Sequence, residues 1–186
     1  MKLLKDPSAC PRKNRFPRFC GRCGQSLIWA DVPGDDRQRL VCRQCDTVHY
    51  LDHKVAACSV VPMDGGVVLV RRSIQPGRGK WVIPGGFVES DETVPEAAAR
   101  ETWEEAGLEV DVEDLVGVYS YRDSIIVVVV YTARVTGGVL EAGPECLEAR
   151  VFPENRLPWE DLAFRTSRDA LSDWLGRKDK IKGELG

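Results

Sequence analysis

The sequence predicts an α/β protein with a mixed sheet, preceded by a small separate module. Three observations carry this. A strongly helical stretch, EAAARETWEEA at 96–106, sits among valine-rich extended runs instead of alternating with them in regular βαβ units. A second amphipathic stretch at 167–175 puts Ala170, Leu171, Trp174 and Leu175 on one helical face. Ahead of both, four cysteines fall in two C-x2-C pairs.

The 186 residues make one ordinary domain plus a small extra module. A hydrophobic fraction of 43% beside 30% charged residues is that of a soluble globular chain. The longest apolar run, 125–131, is too short to span a bilayer and reads as a buried strand, so no membrane partner is expected. The first 18 residues lack an apolar signal-peptide core, and a cytoplasmic location is expected. Charge is uneven: residues 1–45 balance to +6 and residues 46–186 to −9. A basic leading arm raises a nucleic-acid reading. With little aromatic interleaving beyond Phe16 and Phe19, a solvated arm is the preferred reading and a nucleic-acid partner is not expected.

Taken in order, residues 1–18 carry prolines at 7, 11 and 17 and no periodicity, which reads as an extended or disordered arm. Residues 19–50 form the module. Cys20 and Cys23 are separated from Cys42 and Cys45 by 18 residues, inside the spacing of four-cysteine zinc sites. Four thiolates close a tetrahedral structural zinc site with no open position, so zinc here supports folding and not catalysis. Strands at 26–30 and 37–41 around the turn 33–35 complete a zinc ribbon. His49 and His53 are not needed as ligands. Cys10, Cys58 and Cys146 are left over, the last two as buried thiols.

The main domain is expected over 54–177. Runs at 54–61 and 66–71 flank the turn 63–65 and predict a hairpin. Arg71 and Arg72 end it, and the loop SIQPGRGK leads to a short strand at 81–83. That strand delivers Pro84, Gly85 and Gly86, whose glycines let backbone approach a metal or phosphate. Thr93 and Glu96 form a capping box, Pro95 suits the first turn, and Gly107 suits a left-handed stop. After the helix come a short extended piece at 109–112, strands at 115–121 and 125–135 joined by a turn at 122–124, and a strand at 149–152. A loop at 153–158, the helix at 167–175 and a fraying polar tail at 178–186 follow.

The helix carries the chemistry. Glu101, Glu104 and Glu105 stand at i, i+3 and i+4 and share a face. Like charges so placed cost a few tenths of a kcal/mol, which a divalent cation among them offsets. Magnesium takes such oxygen ligands and keeps positions for water and substrate phosphates. Ala97 and Ala98, one turn earlier, are small enough to leave that side open. Arg100 can pair with Glu96 one turn back.

The stretch GFVESDETVPEAAARETWEEAGL, residues 86–108, reads G-x5-E-x7-R-E-x-x-E-E-x-G-hydrophobic and resembles the Nudix box over its full length. Thr102 stands where that family usually has an aliphatic residue, on a side away from the glutamates. The segments LVRRSIQPGRGKWVIPGGFVE and LEARVFPENRLPWEDLAF also look like the family's strands before and after the box, so the resemblance covers roughly residues 18–175. It implies a Nudix α/β/α sandwich with a mixed sheet. With the ribbon in front, the chain is similar to the NADH, ADP-ribose and FAD pyrophosphatase group.

The resemblance implies hydrolysis of a nucleoside diphosphate derivative to a mononucleotide and a phosphorylated product, with Mg2+ or Mn2+ as cofactor. Glu101, Glu104 and Glu105 match the metal-ligand positions, and a backbone carbonyl at Gly85 or Gly86 is a further ligand. Arg100 holds the loop through Glu92. The general base is Glu148 in preference to Glu145, with a box glutamate as the alternative. Arg71 and Arg72 are candidates for phosphate, and Phe87, Tyr119 and Tyr121 for stacking on a base or flavin. The S-Q-P-W-P-F-P-x-S signature of NADH pyrophosphatases is absent after the box, and so is the proline that marks one group of ADP-ribose pyrophosphatases. Both markers belong to subgroups and neither absence decides the substrate; ADP-ribose or FAD is the preferred expectation, NADH less so. A nucleotide-sensing, nucleic-acid-binding regulator is the alternative function, though such a binder need not keep Glu92, Glu101, Glu104 and Glu105. A homodimer is expected by family analogy.

Overall fold

The computed structural model describes residues 16–184 except Asp123, with side chains to Arg177. Most of the basic arm, Cys10 with it, and the last two residues of the tail lie outside the described residues. The chain divides into two compact units, one ending at Asp52 and the other beginning at His53.

In the first unit, β1 (Leu27–Ala30), β2 (Arg39–Cys42) and β3 (Val48–His49) form an antiparallel sheet in that order. The second strand starts later than the sequence suggests. Asp35 accepts the Arg37 N–H at 3.2 Å and two guanidinium bonds from Arg39 at 2.6 and 3.0 Å, which keeps residues 35–38 in the turn. The third strand is too short to leave a periodicity.

The second unit holds β4 (Lys54–Val60), β5 (Pro62–Met63), β6 (Gly66–Arg72), β7 (Trp81–Val82), β8 (Gly85–Phe87), α1 (Val94–Ala106), β9 (Leu108–Ser120), β10 (Ile126–Gly138), β11 (Cys146–Pro153) and α2 (Arg165–Glu184). One sheet runs β8-β4-β10-β9 and is mixed, because β4 and β10 are parallel. The other runs β11-β6-β5, with β7 also on β6.

The predicted hairpin of 54–61 with 66–71 is not formed. Val60 and Val61 are fully buried, and at Pro62 the chain passes from the first sheet to the second. Only β5 pairs with β6 across the turn, where Asp64 and Gly65 take the positive φ values of 49° and 74° that a tight hairpin turn requires. The extended piece and strand predicted after the helix are one strand, β9. The expected break is a bulge, spanned by the Thr132 hydroxyl, which takes the Asp114 N–H at 3.1 Å and donates to the Asp114 carbonyl at 3.2 Å.

Successive β4 side chains point to opposite faces. Val60 joins Val67, Leu69, Val116, Val130 and, from α2, Ala170, Leu171 and Trp174. Val61 joins Val68, Val70, Ala106 and Leu108, while Ala57 meets Ala97 and Ala98 of α1. The sheets thus lie between two helices, an α/β/α sandwich. Ala97 and Ala98 do not leave a side open as the sequence suggested: both are fully buried, and their small size lets α1 lie close on β4. Helix α2 starts before the predicted 167 and continues through the tail to Glu184, since lysine and glutamate are good helix formers.

Helix α1 starts and stops on the predicted signals. Thr93 N–H donates to Glu96 Oε2 at 2.7 Å within a capping box, and Gly107 stops the helix at φ 68°. The segment between β10 and β11 completes the stop. Val139, Glu141 and Gly143 donate their N–H groups to the Gly107, Ala106 and Glu105 carbonyls at 3.1, 3.0 and 3.0 Å. A Cβ on Gly143 would overlap the Glu104 carbonyl, so only glycine lies this close.

Candidate active site

Glu101 and Glu105 of α1 face the short strand β8. Gly85 pairs with Cys58 of β4 and donates its N–H to Glu105 Oε2 at 2.9 Å. A Cβ on Gly86 would run into the Glu101 carboxylate, and one on Gly85 into Cys58 and the Ala57 carbonyl. Two glycines are what allow backbone, strand and carboxylates to meet here.

Arg100 ties the box together. Its Nε and Nη2 grip the two Glu92 oxygens at 2.9 and 2.6 Å, Nη1 donates to Glu101 at 2.8 Å and Glu104 at 2.9 Å, and Nη2 also reaches the Phe87 carbonyl at 3.1 Å. The expected pairing with Glu96 is not made, because Glu96 is spent on Thr93 in the capping box. Arg100, with the Glu89 N–H, holds the Glu92 carboxyl down at about 2. Thr102 is fully buried, and its hydroxyl bonds back to the Ala98 carbonyl at 2.7 Å, which satisfies a polar group at an otherwise apolar position.

Burial pushes the Glu105 carboxyl up to about 7, against the Gly85 N–H, and the neighbouring charges of Glu101 and Glu145 push the same way. Glu101 is also raised, by burial first and against the pull of Arg100. Cys58 is half-buried where the sequence predicts a buried thiol, and its thiol is pushed up to about 12 by burial and then by these two carboxylates. Glu101 and Glu105 thus form a partly buried acidic pair whose donors are hard oxygens. A divalent cation of the magnesium type takes such oxygen donors, and Glu101 and Glu105 could offer them beside the Gly85–Gly86 backbone.

The remaining candidates divide. Glu145 precedes β11, and its charge reaches Glu101 and Glu105. Glu148, opposite Arg71 in the β6–β11 ladder, instead forms ion pairs with Arg71 at 3.8 Å and Arg150 at 3.7 Å. Arg71 Nε donates to the Gly79 carbonyl at 2.8 Å, and Arg72 Nε to the Pro76 carbonyl at 2.8 Å, so both arginines also hold the loop before β7. The Arg72 charge reaches Glu105. Phe87, the second residue of the box, is 44% exposed, with Lys54 Nζ 5.1 Å from its ring centroid. Tyr119 does not join this group: its ring lies in the core, and its hydroxyl donates to Asp173 Oδ2 at 2.8 Å. Tyr121 is likewise taken by Asp169 at 2.8 Å. Sequence reasoning missed Lys54, which no motif marks, and Ser73, which donates to the Glu145 carbonyl through both its N–H at 3.2 Å and its hydroxyl at 2.6 Å.

In the first unit, the sulfurs of Cys20, Cys23, Cys42 and Cys45 all lie within 4.8 Å of one another. Tetrahedral zinc with bonds of about 2.3 Å needs sulfurs about 3.8 Å apart. The Cys20–Cys45 and Cys23–Cys42 separations are 3.7 and 3.4 Å, so the set fits zinc. His49, not required as a ligand, places Nε2 3.3 Å from Cys20 Sγ.

Residues 52–175 match the family model of the NUDIX domain, and residues 18–51 match the Nudix N-terminal model, a zinc ribbon. An ADP-ribose pyrophosphatase of Methanocaldococcus jannaschii is 41% identical over 62% of this chain and 69% of its own length. An NAD-capped RNA hydrolase NudC of Pseudomonas aeruginosa is 29% identical over 88% of this chain and 58% of its own length. The crystal structure of a NUDIX hydrolase from Nitrosomonas europaea superposes with a TM-score of 0.79 at 39% identity, over 83% of this chain and 88% of that one. No helix among the described residues is long and apolar enough to cross a membrane.

Proposed function

The chain belongs to the Nudix family, with that family's zinc ribbon in front of the catalytic domain, and from this premise we propose that it is a magnesium-dependent pyrophosphohydrolase of a nucleoside diphosphate derivative, ADP-ribose or FAD before NADH. The observation that carries the reading is the convergence of Glu101 and Glu105 with the Gly85–Gly86 backbone. It supports a cation site made of Glu101, Glu104, Glu105 and the Gly85 carbonyl.

Magnesium held there would supply Lewis-acid stabilisation of the charge that builds on the phosphate oxygens. The protein's own groups do the rest. Arg100, locked to Glu92 and the Phe87 carbonyl, fixes helix and loop in register. Arg72 and Arg71 offer positive charge to a phosphate, and exposed Phe87 with Lys54 offers a ring and a cation to the nucleoside side. Glu145 takes the proton of the attacking water in this reading, in preference to Glu148, because its charge is felt at Glu101 and Glu105 while Glu148 is paired with two arginines. The water oxygen bonds to one phosphorus, and the bridging P–O bond breaks with its electron pair on the leaving phosphate.

The experiment is incubation of the protein and its E104Q and E105Q variants with Mg2+ and ADP-ribose, FAD, NADH or diadenosine polyphosphates, reading AMP release by chromatography. Turnover of one compound that collapses in both variants supports the reading. Tight binding without turnover supports a nucleotide-sensing regulator instead. A further reading, action on an NAD cap of RNA, is favoured by the similarity to NudC across both modules. It predicts RNA binding that weakens steeply with salt and on deletion of residues 1–18.

A further inference from the structure

We propose that Ser73 is a positioning residue for catalysis: by holding the Glu145 carbonyl, it sets where the Glu145 carboxylate stands relative to Glu101 and Glu105. This rests on the hydrolase reading above.

The segment from Val139 to Glu145 has no regular structure of its own. At one end it is fixed to the C-terminus of α1 by the N–H groups of Val139, Glu141 and Gly143, and Gly143 lies too close to the Glu104 carbonyl for any side chain. Cys146 N–H closes a turn on the Gly143 carbonyl at 2.9 Å. The regular β6–β11 ladder ends where Cys146 stands opposite Arg72, and it is already irregular between Cys146 and Glu148. Glu145 is therefore one residue past the last ladder pair, where backbone pairing alone holds it weakly.

Ser73, one residue past Arg72, supplies the missing restraint. Its N–H contact to the Glu145 carbonyl is long at 3.2 Å, and its hydroxyl contact is short at 2.6 Å. The hydroxyl is the better bond of the two, and only a serine or threonine supplies it at this position. Glu145 is thus clamped between the end of the catalytic helix and the end of β6, two rigid elements that also carry Glu105 and Arg72. A misplacement of about 1 Å in a reacting group costs up to about 100-fold in rate, and a general base contributes about 10²–10⁴-fold in all.

The test uses the full chain with Mg2+ and whichever of ADP-ribose, FAD or NADH the wild type hydrolyses. It compares S73A, S73T, E145Q and the double variant S73A/E145Q for kcat, KM and thermal midpoint. S73A is expected to lower kcat about tenfold with KM within about twofold. S73T should restore kcat, and S73A should cost nothing further once Glu145 is already glutamine. Wild-type kcat in S73A, or the same loss in both backgrounds, overturns the positioning role and leaves the hydrolase reading standing. Wild-type kcat in E145Q overturns the role of Glu145 and the proposal with it. A wild type that hydrolyses none of the compounds overturns both proposal and hydrolase reading.

Discussion

Arg100 holds Glu92 through two parallel hydrogen bonds, 2.9 and 2.6 Å, across the boundary between helix α1 and the loop before it. The same guanidinium reaches Glu101, Glu104 and the Phe87 carbonyl, so one planar group sets the helix register against β8. Lysine keeps the charge but not the fork. Arg100→Lys is therefore expected to lower kcat/KM about 10- to 100-fold while the secondary structure is kept, checked by steady-state kinetics beside circular dichroism.

The same pair makes a pH prediction. Glu92 is held at about 2 in the folded protein, below its ordinary 4.5. A depressed carboxyl contributes stability that is fully present above the unfolded value and is lost as pH falls from about 4.5 through about 2. Urea melts of wild type and Glu92→Gln should differ most at neutral pH, and the difference should close as pH falls toward 2. A gap that stays constant down to pH 2 would rule the pairing out as its source.

Glu105 behaves in the opposite sense. Its carboxyl is raised to about 7, so the folded protein binds the proton more tightly than the unfolded chain. The sign follows: without metal, this group costs stability as pH rises from about 4.5 to about 7, and the cost stays at its full value above that. Glu105→Gln should therefore stabilise the metal-free protein at pH 8, by on the order of 1–3 kcal/mol, while removing Mg2+-dependent hydrolysis. In the wild type the proton competes with the cation. Mg2+ affinity measured by calorimetry should rise from pH 6 to pH 8, with proton release near pH 7.

What could be read from the sequence was whatever local chemistry determines. The capping box at Thr93, the stop at Gly107 and the shared face of Glu101, Glu104 and Glu105 each depend on residues within one or two turns, and each signal stood in the chain. Sheet membership is a long-range choice. Residues 54–61 look like one arm of a hairpin, yet they pair with β10 and β8 instead, with 56, 57 and 59–61 buried. Tyr119 and Phe87 look alike as aromatics near strand ends, yet one is buried against α2 and the other is exposed at the start of the box. Ser73 and Glu145 are 72 residues apart, and no spacing rule joins them.

The zinc ribbon should depend wholly on its metal. A short three-stranded sheet cannot bury enough apolar surface to fold alone, and coupled zinc binding supplies about 10–16 kcal/mol in small zinc modules. The second unit contains none of the four cysteines. Stripping zinc with a strong chelator, or Cys42→Ser, should unfold the first unit and leave the second with its own melting transition. The check is zinc release counted with a colorimetric chelator, with proteolysis mapped by mass spectrometry: cleavage should be confined to residues up to Asp52. Equal protection of the ribbon with and without zinc would reject a structural role for the metal.

Phe87 tests the substrate side. The residue is 44% exposed, Lys54 stands over its ring, and its carbonyl, not its side chain, serves Arg100. Phe87→Ala thus removes the ring and leaves the catalytic contacts in place. Stacking a base on an aromatic ring is worth about 1–3 kcal/mol. For a nucleoside that stacks here, KM should rise about tenfold or more while kcat changes little, the signature of binding lost equally from ground and transition states. Phe87→Trp should recover the affinity. If KM is unchanged in Phe87→Ala and kcat falls instead, the ring supports the β8 backbone and the base lies elsewhere.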